Sequence, residues 1–250
     1  IMKKNCLILI PARMGSTRFP GKPLVKIGKE TMISRIARIC ENNKYTNHVY
    51  VATCDQEIKN DVEMNNHSAI MTSDKHTRAS DRCSEALKKI EKKLKKKFDI
   101  VTMVQGDEPL IRPYMLNKAM NDILNSSDEY LVSNCTSYIQ DKKEFNDRNI
   151  IKIIKNRFND VISFSREPIP HLKKFKKNVA LRQVCIISFK RAGLIKYSEL
   201  KETDNEKNES VDMFRFLDNN FKIKLTFLKD PTYPVDTIKD LKKVRKILNK

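Results

Sequence analysis

Short apolar runs rich in β-branched residues alternate with longer amphipathic stretches through the first half of the chain. The apolar runs, at 7–10, 49–52 and 100–104, have the length and composition of buried strands in a parallel sheet. The amphipathic stretches, at 32–41, 56–64 and 79–97, have the periodicity of helices. This alternation predicts an α/β fold with a doubly wound, mostly parallel sheet. Because ligands of such sheets bind beyond the carboxyl ends of the strands, a site is expected in the loops that follow the three runs.

The second half of the chain has a different pattern, with short strand-like runs and turn residues between them. Strands are predicted at 131–136, 150–154, 161–165 and 181–188, as a small mixed-sheet lobe inserted into the core. The polar segment 200–207 is predicted to be a mobile loop, followed by a helix at 210–219, a strand at 223–228 and a closing helix at 238–248. Because the chain has neither an internal repeat nor a long linker, residues 1–250 are predicted to form one domain. Its core is expected at about 1–130 and 209–250, and its lobe at about 131–208.

The formal net charge of +19 raises the question of a nucleic-acid partner. The lysines, however, are spread along the whole chain. Their densest run, 88–97, is interrupted by Ile90 and Leu94, which share one helix face with Leu87 and leave the lysines in solvent. No aromatic residues are interleaved with this run, as single-strand binding would require. We therefore expect a solvated basic surface and no specific nucleic acid, and a nucleic-acid-binding protein remains the alternative from another functional class.

The cysteines and the apolar runs indicate the cellular compartment of the protein. The six cysteines are widely scattered and form no Cys-x-x-Cys pair, which predicts reduced core thiols rather than disulfides or a zinc site. No apolar run reaches the length that spans a membrane, and the first residues lack the apolar region of a signal peptide. The expectation is a cytoplasmic enzyme without a membrane partner.

The segment after the first strand, 11–24, has the residues of a phosphate-binding loop. Backbone amides can approach a triphosphate at Gly15, while Arg13, Arg18 and Lys22 can neutralise its charge. The Gly-Lys-Ser/Thr ending of a Walker loop is absent, and an ordinary basic surface loop is the alternative. We predict a triphosphate site formed by Pro11, Ala12, Arg13, Gly15, Ser16, Arg18 and Lys22.

Two aspartates occupy loop positions that suit a hard cation. Asp107 follows the run 100–104 beside Gly106, and Asp236 stands just before the closing helix. Carboxylate oxygens at such positions can bind Mg²⁺. Considered alone, Asp236 would be interpreted as a helix cap. Together with the basic loop, the two aspartates predict a site for a magnesium–nucleotide complex.

Six segments, which cover nearly the whole chain in order, resemble the 3-deoxy-manno-octulosonate (Kdo) cytidylyltransferases, which make CMP-Kdo for lipopolysaccharide and capsule. They are 11–24, Met71-Thr72 with His76 and Ser80-Asp81-Arg82, 104–109, 164–170, 209–217 and 235–237. The resemblance implies an α/β nucleotidyltransferase fold with a dimerising lobe, and a homodimer. It also implies a Mg²⁺-dependent enzyme that transfers CMP from CTP to the anomeric hydroxyl of an acidic sugar and releases pyrophosphate.

The resemblance implies roles for individual residues as well. Arg13, Lys22, Asp107 and Asp236 are the implied catalytic residues, with the two aspartates as Mg²⁺ ligands. The implied nucleotide side adds Thr72, Arg78, Ala79, Ser80, Arg82, Gln105 and Gly106 to the loop, and the implied sugar side comprises Arg166, Arg182, Gln183, Glu209 and Met213. No nucleophile is implied, because this transfer depends on positioning and charge neutralisation.

The sugar side departs from the family pattern. Met213 stands where the family has a Gln that faces the sugar, Ile187 replaces a Tyr, and His171 replaces an aromatic residue; on the nucleotide side, Arg78 is an added cation. Fewer hydrogen-bonding groups would change the discrimination between acids. The alternative substrates to Kdo are therefore another ulosonic acid, an amino-Kdo or a phosphonate. On this interpretation Met213→Gln should improve the use of Kdo.

Overall fold

The computed structural model describes residues 4–15 and 19–248. The strands are β1 (Cys6–Ala12), β2 (Lys26–Ile27), β3 (Glu30–Thr31), β4 (Val49–Thr53), β5 (Ala69–Met71), β6 (Ile100–Val104), β7 (Val132–Tyr138), β8 (Lys152–Lys155), β9 (Val161–Ser165), β10 (Leu181–Lys190) and β11 (Ile223–Phe227). The helices are α1 (Met32–Glu41), α2 (Gln56–Met64), α3 (Ala79–Leu94), α4 (Pro113–Leu124), α5 (Lys142–Asn146), α6 (Arg191–Glu199), α7 (Asp204–Glu209), α8 (Phe214–Leu217) and α9 (Ile238–Leu248).

The main sheet has the strand order β11-β7-β10-β6-β1-β4-β5. β6, β1, β4 and β5 run parallel, whereas β10 is antiparallel to both β6 and β7. β8 pairs with β10 and β9, so β8 and β9 extend away from the main path. β7 and β10, which were expected in the inserted lobe, lie within the main sheet. The α/β fold class is confirmed, and the predicted division into core and lobe stays a prediction.

Alternation along β1 shows why helices cover both faces of the sheet. Cys6, Ile8 and Ile10 face the core that contains α1, α2, α4 and α9, while Leu7 and Leu9 face the core of α3 and α6. All five side chains are buried. Since successive residues of a strand point to opposite faces, a continuous apolar run of this kind needs a helical layer on each side. The doubly wound arrangement therefore follows directly from the sequence of β1.

The predicted mobile loop at 200–207 is wrong, because helix α7 begins within it. Thr203 and Glu206 form a capping box, in which each side chain accepts a hydrogen bond from the other residue's backbone N–H. The Glu206 carboxylate is fully buried and accepts hydrogen bonds from Tyr197 and Arg215. This polar segment is therefore ordered by ionic contacts rather than by apolar ones.

Other element boundaries differ from the prediction to a smaller degree. The helix expected at 210–219 is the single turn α8, and α3 ends at Leu94 because Lys95 adopts a left-handed conformation with φ 49°. α4 and α6 were not predicted. The six cysteines are free thiols, four of them buried. Within residues 4–15 and 19–248, no helix combines the length and the apolar character needed to cross a membrane.

Candidate functional site

A cleft of about 470 Å³ lies at the carboxyl ends of β1 and β6. Its walls come from the loops after these strands, the start of α3, the middle of β10 and the segment before α9. This is the edge at which the strand pattern places a site. The cleft brings together these predicted residues: Pro11, Ala12, Arg13, Gly15, Lys22, Arg78, Ala79, Arg82, Gln105, Gly106, Asp107, Arg166, Arg182, Gln183 and Asp236. Ser16 and Arg18 lie outside the described residues.

Lys22 joins two carboxylates that are far apart in sequence, and we call these three residues the Lys22 cluster. Its Nζ lies 2.8 Å from Oδ2 of Asp107 and 3.3 Å from Oδ1 of Asp236. Gly21, at φ 70°, permits the left-handed turn that leads into Lys22. Burial alone would lower the pKa of Lys22, but the charges and hydrogen bonds of Asp107 and Asp236 outweigh burial and raise that pKa. The ammonium is therefore held charged at the floor of the cleft.

The surroundings of the two carboxylates fit a hard cation. Oδ1 of Asp107 is buried and has no hydrogen-bond partner among the described residues. Asp236 is brought beside it because the backbone N–H of Val235 donates to the backbone oxygen of Asp107, at 2.9 Å. No cluster of three or more potential metal ligands occurs in the described part of the chain. Two carboxylates supplemented by substrate phosphates are a typical arrangement for Mg²⁺.

The alternative role of Asp236, as a helix cap, is taken by its neighbour. The Thr237 hydroxyl accepts a hydrogen bond from the backbone N–H of Asp240 at 3.3 Å. The Asp240 carboxylate in turn accepts from the backbone N–H of Thr237 at 2.9 Å and from its hydroxyl at 2.7 Å. α9 is thus capped without the Asp236 side chain, which instead contacts Lys22.

Two contacts shape the phosphate-loop side of the cleft. The Met14 backbone N–H donates to the Asp55 carboxylate at 2.8 Å, which ties the loop to the segment before α2. A Cβ at Gly106 would lie only 3.1 Å from both the Pro11 backbone oxygen and Cδ1 of Ile33, so glycine allows this close approach. The chain after β6 can therefore pack directly against the end of β1.

At the start of α3, two predicted nucleotide residues lie behind the cleft rather than in it. Thr72 accepts a 2.6 Å hydrogen bond from Arg82, and the backbone N–H and hydroxyl of Ser80 both donate to Asp212. Neither Thr72 nor Ser80 lines the cleft. Their contacts hold Arg82 and Asp212, which do line it.

Arg78 lines the cleft, but its guanidinium is bound to the protein. Nε donates to Glu202 at 2.8 Å, and the two terminal nitrogens donate to the Ser210 hydroxyl and the Glu206 backbone oxygen. The added cation expected near the nucleotide is therefore neutralised. Its contacts fasten α7 to the start of α3.

The predicted sugar-side residues separate into three groups. Arg182 and Gln183 line the cleft from β10 together with Ile187, and Arg166 lines it from the segment after β9. Glu209 does not line it; the Glu209 carboxylate accepts hydrogen bonds from the Ser165 hydroxyl and the Arg166 backbone N–H. The third group comprises Met213, which is fully buried in the core, and His171, which is exposed and away from the cleft.

The structure therefore places neither Met213 nor His171 at the cleft. Met213 directly precedes the single turn α8, and this position points its side chain into the core that contains α3 and α6. Sequence alone did not show which side of so short an element faces the cleft.

Comparison with known proteins decides the family. A family model described as cytidylyltransferase matches residues 7–245. A 3-deoxy-manno-octulosonate cytidylyltransferase of Thermodesulfovibrio yellowstonii is 33% identical over 97% of this chain and 98% of its own length. One from Polynucleobacter necessarius is 33% identical over 97% of this chain and 95% of its own length. The chain belongs to the Kdo cytidylyltransferase family.

A solved structure supports the same assignment for the three-dimensional fold. A CMP:2-keto-3-deoxy-manno-octonic acid synthetase complexed with CTP is 31% identical and superposes with a TM-score of 0.87. The match covers 98% of this chain and 99% of that one. The whole cytidylyltransferase fold is therefore shared, and the resemblance stated from sequence motifs is confirmed.

Sequence reasoning missed a buried group in this cytidylyltransferase cleft. Burial raises the pKa of Glu108 to about 7, although the charge of Arg182 acts in the opposite direction. Arg182 is itself buried, and its Nε has no hydrogen-bond partner among the described residues. Burial likewise raises the pKa of the Cys185 thiol. The sequence feature that could have identified Glu108 as a cleft residue is its position directly after Asp107.

Proposed function

We propose that this enzyme transfers CMP from CTP to the anomeric hydroxyl of Kdo and releases pyrophosphate. The observation that carries the proposal is the Lys22 cluster, which places one ammonium and two carboxylates at the strand ends of a cytidylyltransferase fold. The full-length similarity to enzymes named for Kdo supports the choice of acid. Attack by the sugar hydroxyl at the α-phosphate forms the new P–O bond as the bond to pyrophosphate breaks, and the hydroxyl proton is released to solvent.

The residues of the cleft divide this work between binding and charge neutralisation. Arg13, the Gly15 backbone and Lys22 would contact the triphosphate, where their charge offsets the charge of the leaving pyrophosphate. Asp107 and Asp236 would hold Mg²⁺, which when bound neutralises phosphate charge and lowers the pKa of a coordinated hydroxyl. No side chain needs to act as a nucleophile, because positioning and electrostatics suffice for this transfer.

The sugar carboxylate has a suitable partner in Arg182. Arg182 is a buried lining residue of the cleft whose guanidinium lies 3.8 Å from the Glu144 carboxylate, and a charged hydrogen bond from it to the sugar carboxylate would be strong. Gln183 lies next to it and donates to Asn134 at 2.7 Å. The apolar side chain of Ile187 on the same strand supports a second candidate, an acid with fewer hydroxyls or with an added amino group.

The proposal extends to the assembly and the cellular setting of the enzyme. β9 pairs only with β8 among the described strands, and two apolar side chains of this hairpin, Phe158 in its turn and Ile162 in β9, are 66% and 57% exposed. An exposed apolar surface on this hairpin supports a homodimer with a second copy of this chain. We place the enzyme in the cytoplasm, where its product would serve lipopolysaccharide or capsule synthesis.

A substrate screen tests the function. The enzyme is incubated with CTP, Mg²⁺ and each acid in turn (Kdo, another ulosonic acid, an amino-Kdo and a phosphonate), and pyrophosphate release is followed. We expect turnover with Kdo in wild type and almost none in Lys22→Met. Faster turnover with another acid would select the second candidate. No turnover with any acid, together with no thermal stabilisation by CTP and Mg²⁺, would refute the proposal.

A further inference from the structure

Lys152 in β8 is a buried cation to which the proposed reaction gives no role. It has no exposed surface, and its Nζ donates to the backbone oxygens of Asp147 at 2.7 Å, Ile150 at 2.8 Å and Arg166 at 2.7 Å. An ammonium has three N–H donors, so these three oxygens satisfy it completely. Burying a charge is unfavourable unless such partners compensate it. The position therefore selects a group with three donors rather than an apolar side chain.

Two of the three acceptor residues of Lys152, Ile150 and Arg166, line the cleft, and Asp147 lies just outside it. Asn149, Ile150, Ile151 and Arg166 line the cleft, and we call them the sugar-side wall. Asp147 and Ile150 bracket the turn that carries Asn149. Lys152 thus joins this turn to the segment after β9, two parts of the wall that come from different strands.

The wall is also joined to the residues expected to bind the sugar carboxylate. Lys152 is the register partner of Arg182 in the β8–β10 pair, and the Gln183 backbone N–H donates to the Ile151 oxygen at 2.8 Å. The Arg166 side chain contributes by donating to the Glu209 backbone oxygen at 2.6 Å. A shift of the turn would therefore move the wall relative to Arg182.

We propose that Lys152 is a positioning residue that holds the sugar-side wall in the geometry that binds the acidic sugar. This inference rests on the proposed function for the identity of the ligand. The ammonium acts through the backbone oxygens that it binds and does not itself touch the substrate. Its removal should affect the acid and spare the nucleotide, which binds on the opposite side of the cleft.

The charge on Lys152 adds a pH dependence to this role. Burial lowers its pKa to about 8, while the charges of Asp147, Glu167 and Glu209 act to raise it and that of Arg166 to lower it. Below pH 8 the ammonium keeps all three donors. Above pH 8 the neutral amine has two, so one wall contact is lost and acid binding weakens.

The test compares Lys152→Met with Lys155→Met. Lys155 is a lysine of the same strand whose Nζ donates one 3.4 Å hydrogen bond, to the Asn156 oxygen, and lies 6.0 Å from the centroid of the Phe227 ring. In Lys152→Met we expect the KM for the acid to rise by about tenfold to a hundredfold, as small misplacements in a binding site do. The KM for CTP and kcat should change little. The wild-type KM for the acid should rise above pH 8, and that pH dependence should be absent in Lys152→Met. Lys155→Met should behave as wild type.

Amide hydrogen exchange without ligands gives a readout that is independent of turnover. Lys152→Met should exchange faster at 147–151, whereas Lys155→Met should not. Unchanged protection there, or equal loss of acid and CTP affinity, would overturn the proposal. If wild type uses no acid, the proposed function fails and hydrogen exchange alone decides the positioning role. If Lys152→Met does not fold, the wild-type pH profile decides, and a constant acid KM across pH 8 overturns the proposal.

Discussion

At the scale of single residues, the assignment that most affects the proposed chemistry is that of Asp107 and Asp236 as cation ligands. We expect Asp107→Asn and Asp236→Asn each to lower turnover by several orders of magnitude, because a neutral amide is a poor ligand for a hard cation and a poor partner for Lys22. Pyrophosphate release over a Mg²⁺ titration measures this. The control is Thr237→Ala, which removes the α9 cap and should lower stability by about 1 kcal/mol with turnover near wild type. Normal turnover in Asp236→Asn would remove that residue from the cation site.

Met213 is the residue for which structure reverses the expectation from sequence. Because its side chain is fully buried in the core, Met213→Gln should place an amide there without a partner. We expect a loss of about 1–3 kcal/mol in the free energy of unfolding, and no improvement in the KM for Kdo. Urea unfolding measures the change in stability, and steady-state kinetics measure the KM for Kdo. An improved KM for Kdo at unchanged stability would show that the side chain reaches the sugar.

Among the elements, α7 depends on a buried ionic network. Arg215 donates to both carboxylate oxygens of Glu206 at 2.8 Å and also binds Asp81 at the start of α3. Arg215 also stacks over the Tyr197 ring, 4.1 Å from its centroid. Removal of one partner leaves a buried charge uncompensated, which is far more unfavourable than the loss of a surface pair.

This network predicts a contrast between two glutamates of the same segment. Glu206→Gln should lower the free energy of unfolding by about 3–5 kcal/mol. Glu202→Gln, the matched change at a partly exposed partner of Arg78, should lower it by about 1 kcal/mol or less. Chemical denaturation of both variants measures the difference. Equal losses of stability in the two variants would mean that the buried pair of Glu206 and Arg215 contributes no more to stability than the partly exposed pair of Glu202 and Arg78.

The same elements show how far sequence reasoning reached. β1 and β6 were predictable because their apolar runs are local, and predicted residues that follow them directly line the cleft. α7 was missed because its order depends on Arg215 and Tyr197, which are not adjacent in sequence. The wall residues 149–151 were missed for a similar reason: only the pairing of β8 with β10 brings them to the cleft.

For the whole molecule, the net charge of +19 predicts how the protein behaves toward polyanions. We expect weak, sequence-independent association with DNA or RNA that disappears as salt increases, since counterion release drives such binding. Fluorescence anisotropy with labelled duplexes over a salt series measures it. Tight and sequence-selective binding at physiological salt would instead favour a nucleic-acid-binding function.

The contact between Lys22 and Asp236 joins residues that are 214 positions apart. Closing so long a loop is slow relative to forming local contacts. During translation, the amino-terminal part of the sheet can begin to form while the ribosome is still producing the later strands. The complete set of one cation and two carboxylates cannot exist until Asp236 has emerged. A nascent chain would therefore acquire its β1–β6 pairing well before it acquires any capacity for catalysis.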